Sequence, residues 1–294
     1  TYFIFVVLVS LMLQDNYNLK KIMNKNIKAA FDKAEKENRA ALIGYVVGCD
    51  PTFGDSKLII NEMLKYCDLI EVGIPFNTST SDSATIMDAN DRAIANGANT
   101  KKVLRLIKEI KDNTDKPIGT MSYLNQIHSL GLKNFVKEMK ESKADFSIIV
   151  DSNINSDEDE ELYEKMSEID VGYIKLIAPT NDENYIKQAL KRASSWIYVV
   201  SYAGITGSKK YNLEFIKNSV KLIKKNSNLK IGCGFGIKTS EDVMEVSKVS
   251  DAVIIGSAIV SLVNNGIKNK ISGLEIAKQI GNYLEPITKA LKKN

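Results

Sequence analysis

The sequence predicts an α/β fold: a single closed (β/α)8 barrel of the TIM type, preceded by one extra N-terminal helix. Three observations predict it. From Met23 onward, short β-branched apolar runs alternate with longer segments of helical period, the pattern of parallel βαβ units. The runs SIIV at 147–150 and AVII at 252–255 are apolar on consecutive residues, as strands buried on both faces are. Eight such units in about 250 residues match the size of a closed barrel of this kind. A doubly wound open sheet is the structural competitor. It is weaker, because no GxGxxG follows the first strand.

Each element follows in order. An amphipathic segment at 27–38 (IKAAFDKAEKEN) reads as the extra helix, capping the barrel floor. Strands are expected at 41–47, 68–73, 117–121, 145–150, 172–178, 197–202, 230–232 and 251–256. Between them, helical period marks 54–66, 101–114, 131–142, 158–169, 183–194, 213–226 and 240–249. A last helix is expected at 274–291. The acidic run at 157–161 suits the first turn of a helix, where negative charge favours the dipole. No linker or composition shift divides residues 23–294, which read as one catalytic domain.

Residues 1–22 stand apart. The apolar run TYFIFVVLVSLML is shorter than the roughly 20 residues a membrane-spanning helix needs. It shows neither the basic start nor the small-residue cleavage site of a signal peptide, and Lys20 and Lys21 follow it. It reads as an upstream extension outside the fold, with a membrane anchor truncated at its start as the alternative.

Composition excludes several classes. The 294 residues are 44% hydrophobic and 26% charged, too apolar for a disordered chain. Forty Lys and Arg against 36 Asp and Glu leave a net charge of +4, and no basic stripe interleaves with aromatics, so nucleic-acid binding is not indicated. Cys49, Cys67 and Cys233 have no metal spacing and fit a reduced, cytoplasmic compartment. His128 is the one histidine, which leaves no His-rich metal site and argues against a Ser-His-Asp triad; a structural role for it is favoured.

In such a barrel the chemistry lies just beyond the C-terminal ends of the strands. GCGFG after the seventh strand and IIGSA after the eighth put small residues in two adjacent loops. Glycine lets backbone N–H groups approach a ligand, and a short helix opening at Gly256 and Ser257 aims its N-terminus at an anion. Either loop alone would be an ordinary βα turn; the two together favour a phosphate site. Glu71, inside LIEVGIPF, is a carboxylate among Ile70, Val72 and Ile74. Such surroundings raise a carboxyl pKa and suit acid–base work near neutral pH. A structural carboxylate paired to a lysine is the equal alternative. Asp82, in the polar loop NTSTSDSAT, is weak alone, since most loop aspartates serve turns. It would stand as a second acid over the same mouth. The segment YAGITGSKK at 202–210 reads as a loop that could close over substrate, or as an ordinary connection.

At these residues the sequence resembles the alpha subunit of tryptophan synthase. LIEVGIPF, SYAGITG, GCGFGIKT and VIIGSAIV occur in family order, and GCDPT and MSYLNQI also resemble the family. The resemblance implies a (β/α)8 barrel that cleaves indole-3-glycerol phosphate to indole and glyceraldehyde 3-phosphate, a lyase step of tryptophan biosynthesis. It implies Glu71 as proton shuttle, Asp82 facing the indole N–H, and Tyr198 lining the site. It implies Tyr45, Tyr123 and Ile148 around the indole. Gly207, Gly236, Gly256 and Ser257 would hold the phosphate, with Phe235 beside them and Thr206 in the mobile loop. No metal or organic cofactor is implied in this chain; pyridoxal phosphate belongs to a beta subunit, the partner in an α2β2 complex. No nucleic-acid or membrane partner is implied.

The run at 77–84 departs from the family pattern: only Asp82 matches, and the usual proline and glycine are absent, which loosens the backbone. The family's proline beyond Asp151 is also absent. A stand-alone indole-3-glycerol-phosphate lyase is therefore one alternative, and a non-catalytic barrel that only binds a partner is another. A sugar-phosphate isomerase or epimerase would need other catalytic residues.

Overall fold

The structure, a computed structural model, describes residues 23–78, 82–201 and 211–293. In chain order the elements are α1 Lys25–Lys36, β1 Ala41–Val47, α2 Phe53–Met63, β2 Leu69–Gly73, α3 Ala84–Ala95, α4 Thr100–Lys111, β3 Ile118–Ser122, α5 Leu124–Leu130, α6 Leu132–Ser142 and β4 Phe146–Ile149. They continue with α7 Asp157–Glu168, β5 Gly172–Ile177, α8 Glu183–Arg192, β6 Trp196–Val200, α9 Leu213–Asn226, β7 Lys230–Gly234, α10 Ser240–Ser247, β8 Ala252–Ile255, α11 Ser257–Lys268 and α12 Gly273–Ala290. The eight parallel strands pair in sequence order, and β8 returns to β1 to close the barrel.

Strand parity divides the core in two. Ala41, Ile43 and Tyr45 of β1 point inward, while Leu42 and Val46 face the helices. Inward residues of other strands fill the interior, with Phe146 edge-on to Trp196 at 6.0 Å between ring centres. The extra helix forms as expected. The Asn24 side chain accepts from the backbone N–H groups of Asn26 (3.0 Å) and Ile27 (3.3 Å), capping α1. Ile27, Phe31 and Ala34, at helical spacing, then pack under the interior cluster and close the floor.

The floor carries a repeated device. Asp68, Asp145 and Asp251 each stand one residue before an even-numbered strand. Each carboxylate accepts the backbone N–H of a residue in the preceding odd-numbered strand: Leu42 (2.8 Å), Ile118 (2.9 Å) and Ile231 (2.9 Å). Arg39 adds a two-pronged pair to Asp68 at 2.6 and 2.8 Å. Asp145 is also met by Lys111 Nζ at 2.8 Å and Asn26 Nδ2 at 2.7 Å.

The elements differ from the expectation in three places. Helices α3 and α5 have no counterpart among the expected elements, and α11, expected as a short helix at Gly256 and Ser257, runs 12 residues. In α3 the buried stripe Ile86, Ala89, Asn90 and Ala93 has the i, i+3, i+4, i+7 spacing, but a polar Asn90 interrupts its apolar signal. Helix α5 has only 7 residues, too few to display a period. Strand β6 lies at Trp196–Val200, and the expected end at residue 202 falls outside the described residues. The same holds for the extension at 1–22. Among the described residues no helix is long and apolar enough to cross a membrane.

Candidate active site

The C-terminal ends of the strands surround a cavity of about 500 Å³, counting its solvent-open mouth. Its wall includes Tyr45, Glu71, Asp82, Tyr198, Phe235, Gly236, Gly256 and Ser257. The structure thus gathers eight of the expected site residues from β1, β2, β6 and the loops after β2, β7 and β8.

Glu71 occupies an inward position of β2, level with Tyr45 of β1 and Gly119 of β3 in the strand register. Its side chain is fully buried, and neither carboxylate oxygen has a hydrogen-bond partner among the described residues. Burial alone pushes its pKa up from 4.5 to about 8, because the charged form has lost its hydration without gaining a donor. The alternative of a structural carboxylate paired to a lysine is not what the geometry shows.

Two tyrosines flank the carboxyl. Tyr198 is held well above the usual phenol pKa by burial and then by Glu71; Tyr45 is raised by burial and then by Asp82. Neighbouring glycines make room for both rings. A Cβ on Gly73 would collide with the Tyr45 hydroxyl, and one on Gly234 would lie 2.5 Å from the Tyr198 hydroxyl. Both strands must therefore lack a side chain there for the mouth to keep its aromatic walls.

Asp82 lies in the loop entering α3, where Asn90 Nδ2 approaches its Oδ2 at 3.3 Å. Beyond β7, Phe235 and Gly236 both take positive φ of 75°. This bend is costly for a phenylalanine. The Ser201 hydroxyl, 2.7 Å from the Gly234 carbonyl, braces it, and the Phe235 ring meets Tyr198 edge-on at 6.1 Å. Helix α11 opens at Gly256 with no side-chain cap, so its first N–H groups and the positive end of its dipole face the cavity.

Not every expected residue reaches the wall. Ile148 points inward on β4 beside Met121 in the register, but the wall is formed by Met121 instead. Tyr123 starts the turn into α5 and lies 4.9 Å from the Phe76 ring, off the lining. Thr206 and Gly207 lie outside the described residues. Sequence reasoning missed Ile86, Met121, Ile237 and Ile254 as lining residues. For Met121 and Ile254, alternation along β3 and β8 carried the signal. His128 makes a contact with Glu158 on the outer helices rather than a site. The three cysteines are buried and free. No group of three His, Cys, Asp or Glu among the described residues could hold a metal ion.

These features define a class: a (β/α)8 barrel protein with one unpaired, buried carboxyl and an open helix N-terminus on a shared mouth cavity. The family model for the tryptophan synthase alpha chain matches residues 31–288. A tryptophan synthase alpha chain from Desulfatibacillum aliphaticivorans is 35% identical over 245 residues, spanning 83% of this chain and 92% of that protein. A solved chain from Aquifex aeolicus VF5 superposes with a TM-score of 0.80 at 27% identity, covering 91% of this chain and 99% of its own. Tryptophan synthase subunit alpha from Legionella pneumophila str. Paris does so at 0.80 and 25% identity, covering 90% and 98%. The chain belongs to the tryptophan synthase alpha chain family.

Proposed function

We propose that the mouth cavity carries out the family's lyase half-reaction, cleavage of indole-3-glycerol phosphate, with Glu71 as the group that moves the proton. The reaction breaks the bond between indole C3 and the first glycerol carbon. C3 must gain a proton, and the hydroxyl on that carbon must lose one to become the aldehyde of glyceraldehyde 3-phosphate. A carboxyl that stays protonated at neutral pH gives its proton to C3, and the resulting carboxylate takes one from the hydroxyl, so Glu71 ends as it began. Asp82 faces the indole N–H and stabilises positive charge on the ring as C3 is protonated. Tyr45, Met121, Tyr198 and Phe235 enclose the aromatic end, with Ile148 and Tyr123 set back from the wall. Gly236, Gly256 and Ser257 receive the phosphate at the start of α11, together with Thr206 and Gly207.

The observation that supports this reading is the buried Glu71 carboxyl, with no partner among the described residues and a pKa near 8, sharing one cavity with Asp82 and an uncapped helix N-terminus. The reading extends to the setting: a cytoplasmic chain, residues 23–294 as the folded domain, no cofactor of its own, and a pyridoxal-phosphate beta subunit as partner in an α2β2 complex. The run at 77–84, without proline or glycine, favours weak coupling to that partner and keeps a stand-alone lyase as the second reading.

The test is indole release from indole-3-glycerol phosphate, by the full chain and by the chain starting at Met23, with and without a beta subunit. Release is expected from both chains, and Glu71→Gln is expected to lower kcat by about 10²–10⁴-fold. Full activity in that variant would remove Glu71 from the mechanism. No release from the folded wild type would overturn the reaction.

A further inference from the structure

Three polar side chains outside the cavity form a connected clasp. Asp50 is buried in the turn after β1 and takes a two-pronged pair from Arg92 of α3, Nε and Nη2 each at 2.7 Å. Arg92 Nη2 also donates to Asn264 Oδ1 of α11 at 2.6 Å. Asn264 Nδ2 then donates back to the Thr85 carbonyl at 3.0 Å. Thr85 lies in the first turn of α3 and Arg92 in its last. One amide of α11 therefore grips α3 at both ends.

Asn264 lies among the buried face of α11, with Ile259, Val260 and Val263. A buried amide costs stability unless its oxygen and nitrogen are both bonded, and here each is. The guanidinium's planar fork makes three bonds at fixed angles, which sets the rotation of α3 as well as its position. That rotation matters at the mouth. Asn90, two residues before Arg92, points its amide at Asp82, which itself sits two residues before the helix. On the other side, Asn264 is seven residues beyond Ser257, about 10 Å along the helix from the N-terminus that faces the cavity. The clasp thus fixes the separation between the phosphate end of the cavity and Asp82.

We propose that Arg92 and Asn264 are positioning residues for Asp82, holding the helix that follows it in register with the helix that receives the phosphate. The inference rests on the function proposed above. A substrate that touches both ends at once reacts only when their spacing is right, and a misplacement of about 1 Å can cost about 10²-fold in rate.

The test is steady-state cleavage of indole-3-glycerol phosphate by the full chain with a beta subunit present, using inorganic phosphate as competitive inhibitor to read the anion end alone. Asn264→Ala is expected to lower kcat by about tenfold or more while KM and phosphate inhibition stay within about threefold, since the helix terminus is untouched. Arg92→Lys, which keeps the charge but not the fork, should shift kcat in the same direction and serves if Asn264→Ala does not fold. In an Asp82→Asn background, Asn264→Ala should change kcat by less than about twofold, because a residue acting through Asp82 has nothing left to position. A purely structural role would instead lower kcat by the same factor in both backgrounds, or weaken phosphate inhibition in step, and either result overturns the proposal. So does full kcat in both Asn264→Ala and Arg92→Lys. An inert wild type would sink the proposed reaction and this inference together; an active wild type with fully active variants sinks this inference alone.

Discussion

The floor of the barrel and Glu71 at its mouth treat carboxyls in opposite ways. At the floor, Asp68, Asp145 and Asp251 each accept a backbone N–H from the neighbouring strand, and Asp68 and Asp145 also meet a cation. At the mouth, Glu71 is fully buried and meets no donor among the described residues, although Asp50, also buried at that end, is paired with Arg92. The floor carboxylates hold strand starts in register. The mouth carboxyl is left expensive to ionise, and that is the property an acid–base group needs near neutral pH. Carboxylates that hold elements in place, Asp50 included, are thus paired, and Glu71, where a proton must move, is not.

The sharpest way to break this contrast is to empty a floor site. Asp145→Ala strands the Lys111 ammonium, the Ile118 N–H and the Asn26 amide. Breaking a buried pair in this way costs about 3–5 kcal/mol. Urea denaturation should show that loss, while kcat per folded molecule stays close to wild type. A fall in kcat without a fall in stability would mean that the floor takes part in the chemistry.

A smaller effect separates the mouth glycines from ordinary ones. Gly73→Ala drives a methyl into the Tyr45 ring, with Cζ at 2.9 Å and Cε2 at 3.0 Å. Overpacking of that kind costs about 1–3 kcal/mol, and the displaced ring should also raise KM. Gly54→Ala is the control: its nearest neighbour is Thr52 Oγ1 at 4.0 Å, and it lies in the first turn of α2. That change should be neutral or stabilise by up to about 1 kcal/mol. Equal behaviour of the two variants would show that Gly73 is not there to admit the tyrosine.

The same contrast explains what could be read from residues alone. Asp68, Asp145 and Asp251 mark strand starts in the sequence, and the apolar runs behind them are unmistakable. Glu71 is legible because a charge inside LIEVGIPF violates the pattern around it. The phosphate end is legible because two glycine loops follow adjacent strands. The clasp was not. Asn90 and Asn264 occupy buried helical positions where period analysis expects apolar side chains, so they weaken the helix signal rather than announce a function. Ile148 and Tyr123 show a different gap. Position after or within a strand gives the correct end of the barrel, but depth and side-chain direction, which decide who reaches the cavity, depend on neighbours such as Met121 and Phe76.

The most delicate prediction measures the mouth carboxyl directly through stability. Glu71 titrates near 8 when folded and near 4.5 when the chain is open to water. Below about pH 4.5 both states carry the proton, and the site costs nothing in charge. Between that value and about 8 the folded state keeps the proton while the unfolded state has released it. The unfolded state then binds fewer protons, so stability falls with rising pH, by about 1.4 kcal/mol per pH unit from this group. Glu71→Gln removes the slope, and whatever its amide costs is the same at every pH. The stability difference between the variant and the wild type should therefore shift in the variant's favour by about 1.4 kcal/mol from pH 6 to pH 7, read from urea midpoints at the two values. An unchanged difference would mean that Glu71 finds a donor in solution. Glu71 and the floor carboxylates would then differ in geometry but not in how their charge is treated.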